Sequence, residues 1–69
     1  MESSIVKVIE VIADSDKGWE DATQQALAHA TKTIRNIRSI YVKEMQAIVS
    51  DNKITRYRVN AMISFVVDD

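Results

Sequence analysis

The chain has no cysteine and no proline, one glycine (Gly18) and one histidine (His29). Without Cys, neither a disulfide nor a thiolate metal centre is open to it, and one His is too few for a zinc finger. With one Gly and no Pro, it lacks the composition of a disordered or low-complexity chain and cannot build a Gly-rich phosphate cradle. A nucleophile elbow, which needs glycines around a strained Ser, is excluded too. Charge of one sign is also missing. Nine Lys and Arg against ten Asp and Glu leave a formal charge of -1, without the basic excess of a nucleic-acid protein. There is no long hydrophobic run. Lys7 and Glu10 interrupt the apolar stretch from Ile5 to Ala13, so it is neither a signal-peptide core nor a membrane span. The Met1-Glu2-Ser3-Ser4 start has no basic n-region. These observations predict a soluble, cytoplasmic chain with no nucleic-acid or membrane partner.

What remains is 69 residues, 46% of them hydrophobic. That is one domain, spanning 1–69. A chain this short buries roughly 60% of the surface its unfolded form exposes, which makes a marginal core. Small domains add disulfides, metals or further copies, and elimination leaves further copies.

Four segments follow. Ile5 to Ile12 is rich in Val and Ile and reads as a strand. Asp14-Ser15-Asp16-Lys17-Gly18 breaks it, with Ser15 a candidate N-cap. From Trp19 the period turns helical. Trp19, Ala22, Ala26, Ala30, Ile34 and Ile37 form one stripe, predicting a helix from about Asp16 to about Ile37. Ile40 to Val49 and Ile54 to Val67 read as strands joined through Ser50-Asp51-Asn52-Lys53, a turn because Asp and Asn tolerate the left-handed region. In the last strand Tyr57, Val59, Ala61, Ile63, Phe65 and Val67 alternate with Arg56, Arg58, Asn60, Met62 and Ser64, so one face packs on the helix. The other face carries Ile54, Met62 and Val66 and reads as a subunit interface. The fold class is α+β, in the order β-α-β-β.

No catalytic constellation emerges, so the chain is not expected to be an enzyme. His29 sits at the edge of the apolar stripe as a boundary side chain. Trp19, at the start of the stripe, reads as core. Arg56 and Arg58 share a strand face; they read as ion-pair partners of Glu10 or Glu44 across an interface, with anion binding the alternative. Asp14, Asp16, Glu20 and Asp21 form an acidic cluster. Its plainer reading is negative charge at a helix start; oxygen ligands of this kind also suit Ca²⁺.

Three strings then point to a family. Lys7-x-x-Glu10 in the first strand, Ala28-His29-Ala30-Thr31-Lys32-Thr33-Ile34-Arg35 in the helix and Ile63-Ser64-Phe65 near the end stand in order, at matching spacing. Together with the element order they resemble the dodecins along nearly the whole chain. The resemblance implies a three-stranded antiparallel sheet partly wrapped around one helix, a hollow homododecamer, and a non-enzymatic storage or buffering role. It also implies a flavin site in which Trp residues sandwich isoalloxazine rings and a third-strand Gln hydrogen-bonds them. This chain departs from that pattern. Ser39 takes the place of the stacking Trp, Arg58 takes the place of the Gln, and Tyr41 is the nearby aromatic. Flavin is therefore expected to bind weakly or not at all. Gly18-Trp19-Glu20 and Lys53-Ile54-Thr55 are similar to the branch described as calcium dodecins, which keeps Ca²⁺ open as a ligand through Asp14, Asp16, Glu20 and Asp21.

Overall fold

The computed structural model describes residues 4–67, so the chain start inspected for a targeting signal lies, apart from Ser4, outside the described residues. Strand β1 (Ile5–Ser15) leads into helix α1 (Trp19–Ala30), followed by β2 (Ile37–Ser50) and β3 (Lys53–Val67). The sheet order is β1-β3-β2, with both pairings antiparallel. The predicted α+β class, the element order and the antiparallel sheet are all present.

The central strand is the one with the strictest alternation. Val59, Ala61 and Ile63 of β3 are fully buried and meet Ala22, Ala26 and Ala30 of α1. Alanines on the buried helix stripe let the helix axis come close to the sheet. The hairpin turn places Asp51 at φ 53° and Asn52 at φ 64°. Positive φ at both central residues is what a two-residue hairpin with the native strand twist requires, and Asp and Asn bear it better than branched residues do.

Three expectations need correction. The helix ends at Ala30, not near Ile37. Thr31–Thr33 turn instead, closed by backbone bonds from Lys32 N to His29 O and from Thr33 N to Ala30 O, and Asn36 takes a left-handed φ of 62° before β2 begins. Ser15 is not the N-cap. It is the buried last residue of β1, and Gly18 stands at the cap with no side-chain hydrogen bond. Ser15 Oγ instead accepts from Lys17 N at 2.9 Å and donates to Asp21 at 2.6 Å, tying the strand end to the first helical turn. The strands are also longer than the apolar runs suggest, β1 reaching Ser15 and β2 starting at Ile37.

The helix is short for the sheet it serves. Twelve residues make about 18 Å of helix, whereas the chain extends over 54 × 20 × 13 Å. It lies over β1 and β3 and barely reaches β2. Among the described residues, nothing covers the opposite sheet face. There Val6, Val8 and Ile12 of β1 and Tyr41 of β2 are exposed, beside Met62 and Val66 of β3. The buried apolar core among the described residues comes to three alanines from the helix and Val59, Ala61 and Ile63 from the sheet.

Candidate ligand-binding face

The bare sheet face carries the polar side chains. Antiparallel register sets them in rows. Ser39 faces Ser64, which faces Val8; Tyr41 faces Met62 and then Glu10; Glu44 faces Asn60 and then Ile12; Gln46 faces Arg58 and then Asp14. Pairing between β2 and β3 is unbroken from Ser39 to Tyr41, so these two side chains share a face. Tyr41 is 67% exposed. Ser39 Oγ and Ser64 Oγ share a hydrogen bond. Arg58 lies six residues along β3 from Ser64, roughly 20 Å away, so Ser39 and Arg58 of one chain do not converge.

Within one chain Arg56 and Arg58 have a partner other than Glu10 or Glu44. Both converge on Asp14: Arg56 Nη2 donates to Oδ1 at 2.9 Å and Arg58 Nη2 to Oδ2 at 3.2 Å. The reason is register. Asp14 is a strand residue directly opposite Arg58, while Glu10 sits four residues up β1 and faces Lys43 at 3.9 Å. The hydrogen bond from Arg56, then that from Arg58, holds the Asp14 carboxyl below the ordinary Asp range. The same contact raises Arg56. Two atoms in this region are shielded from water and unpartnered, Arg58 Nε and Asn60 Oδ1. A shielded polar atom without a partner costs about 1–3 kcal/mol.

The other acidic residues are apart from this clamp. Asp21 accepts from Ser15 Oγ and from Gln25 Nε2, and these bonds, Ser15's first, hold its carboxyl low. Asp16 and Glu20 are exposed. Among the described residues, no three His, Cys, Asp or Glu side chains gather closely enough to hold a metal ion. Trp19, half-buried, donates from Nε1 to Gln46 O at 2.9 Å and meets the Tyr57 ring edge-on at 5.0 Å, fixing the helix start to the sheet as a packing residue. His29 is exposed in the last helical turn.

The sequence reading missed the clamp on Asp14 and the unpartnered Asn60. The signal for the first was the strand's true end. Carrying β1 to Ser15 puts Asp14 in the row of Arg58.

A small sheet on one helix, with a bare face of mixed apolar and charged residues, has clear counterparts. The dodecin family model matches residues 5–68. The chain belongs to the dodecin family. It is 31% identical to a dodecin of Thermus thermophilus over 94% of both chains. It is 38% identical to a calcium dodecin of Mycobacterium tuberculosis, over 90% of this chain and 87% of that one. A crystal structure of a single-residue variant of the Thermus thermophilus dodecin superposes with a TM-score of 0.91 at 30% identity, covering 97% of this chain and 100% of that one. Dodecins are non-enzymatic small-molecule storage proteins, and the function here is of that kind: small-ligand binding or storage by a homo-oligomer. The relatives include one named simply dodecin and one named calcium dodecin. No helix among the described residues is long and apolar enough to cross a membrane.

Proposed function

We propose that twelve copies close into a hollow shell that stores a small ligand without transforming it, and that flavin is held weakly. The shell is supported by the thin core and by the uncovered face bearing Val6, Val8, Ile12 and Tyr41, which a neighbouring copy would cover. The flavin part rests on one observation: where the flavin branch carries a stacking Trp, this chain has Ser39, its hydroxyl tied to Ser64. A Ser offers no π-face. Arg58, at the Gln position, is a donor with no acceptor atom and is engaged by Asp14. We place the chain nearer the calcium-dodecin branch, on Gly18-Trp19-Glu20 and Lys53-Ile54-Thr55.

For Ca²⁺, Asp14 is occupied by two arginines and Asp21 by Ser15 and Gln25. Asp16 and Glu20 are the carboxylates left to an ion, and symmetry-related copies would have to complete its shell. A second reading, flavin storage through different contacts, is favoured by Tyr41, whose exposed ring lies on the Ser39 face. Riboflavin fluorescence decides between them. Little quenching at submicromolar protein supports the first reading, strong quenching that is lost in Tyr41→Ala supports the second, and flat titrations with flavins and divalent ions alike point to an interaction module without a small ligand.

A further inference from the structure

We propose that the β2–β3 hairpin of one copy seats in the groove between the helix end and the start of β2 of the next, so that copies join head to tail. This rests on the reading of the chain as an oligomeric shell and names two surfaces that meet in it.

The hairpin is the part of the fold with the least support. Beyond the row of Ser15 and Tyr57, where β1 ends, β3 pairs with β2 alone. Every residue from 49 to 56 is exposed. A two-stranded ribbon without a packed face is marginal in water. This one carries Val49 and Ile54, direct partners that are 62% and 54% exposed.

The matching feature lies at the other end of the chain. A groove of about 470 Å³ is lined by Leu27, Thr31, Ile34, Ile37, Arg38 and Ile40. Its four aliphatic side chains are only half-buried, because α1 stops at Ala30 and barely reaches β2. The chain's own hairpin cannot fill it. Ile37 pairs with Phe65 and Val49 with Ile54, and those two β3 positions stand roughly 36 Å apart along the strand.

Charge selects which ends meet. The described segments 4–9, 28–40 and 62–67 come together at the groove end; they hold Lys7, Lys32, Arg35 and Arg38 and no carboxylate. At the ribbon end, segments 14–21 and 46–58 hold four carboxylates and two lysines outside the Asp14 clamp. Like ends repel, whereas unlike ends attract and align. A contact between two different surfaces repeats from copy to copy and closes where its rotation allows.

The chain has no Cys, so introduced thiols report this contact without background. The purified oligomer of a Val49→Cys/Thr31→Cys double variant is treated with a short bismaleimide and run on a denaturing gel. Both positions are exposed, and Thr31 lines the groove. The double variant should give a ladder of three or more linked chains. The two single variants, refolded together, should give linked pairs and nothing longer, and each alone should stay unlinked. Adding Arg35→Glu and Arg38→Glu should lower the linked fraction on the order of fivefold. If the double variant fails to fold, the mixed single variants decide the matter. Linking by Val49→Cys alone overturns the inference, because it places hairpin against hairpin. Linking indifferent to the two charge reversals overturns it as well. A particle of full mass whose double variant does not link removes this inference and leaves the shell standing. A wild-type monomer removes both.

Discussion

Ser39 on β2 and Ser64 on β3 stand opposite each other in register and join their hydroxyls in a hydrogen bond 2.5 Å long. On the proposed placement of Ser39, this pair of small side chains stands where the flavin branch of the family would present an aromatic plane. Stacking on an aromatic is worth roughly 1–3 kcal/mol per ring, which is the scale of the flavin affinity that the proposed placement expects Ser39 to forgo.

Flavin affinity should be recoverable by two changes. Ser39→Trp supplies the plane and Arg58→Gln supplies a side chain that both donates and accepts. Because the two positions lie roughly 20 Å apart within one chain, they act on one ring only across copies. The double variant should quench riboflavin fluorescence by more than the two single variants combined, since residues sharing a ligand couple. A double variant that stays oligomeric but quenches no better than wild type contradicts the placement of Ser39 and Arg58 at the ring.

Acid should release the Asp14 clamp. The carboxyls of Asp14 and Asp21 are held below their ordinary value in the folded chain, so the unfolded state takes up protons first as the pH drops. Their contribution to stability is whole above about pH 4, the ordinary range of an unfolded Asp, and drains away as the pH falls through the folded values. Urea midpoints between pH 7 and pH 3 should fall less steeply for Asp14→Asn than for wild type. Equal slopes would mean that the clamp adds nothing in water.

Trp19 should matter through its indole N–H as well as its ring. Trp19→Phe removes the bond to Gln46 O and alters the edge-on contact with Tyr57. Its loss should cost about 1–2 kcal/mol, read as a lower urea midpoint by circular dichroism. An unchanged midpoint would show that the helix start is held by its alanine stripe alone.

Much of the fold is legible in the residues. The strict alternation of β3 from Tyr57 to Val67 shows which face meets the helix, and Asp51-Asn52 declares the turn that the chain makes. Less legible is where local patterns stop. Ile34 and Ile37 stay in phase with the helix stripe, yet the helix ends at Ala30, because Ile37 pairs with Phe65 as the first residue of β2. Tertiary pairing outweighs a helical period there. At the other end, polar Asp14 and Ser15 look like a loop but continue β1, since each has a β3 partner, Arg58 and Tyr57. That two-strand relation is absent from any local window, so the partner of the arginines could not be read from the sequence. Tyr41 sharing the Ser39 face, by contrast, follows from strand alternation alone once the strand is regular there.

The mass of the native particle tests the account most directly. Light scattering after size exclusion should report twelve copies of the 7.8 kDa chain, about 94 kDa, in a single compact peak. The Ile12→Asp substitution on the uncovered face should lower that mass while leaving the circular dichroism of the protomer intact. A wild-type chain that elutes folded as a monomer or dimer would contradict the shell, and with it the reading of the bare sheet face as a surface made to be covered.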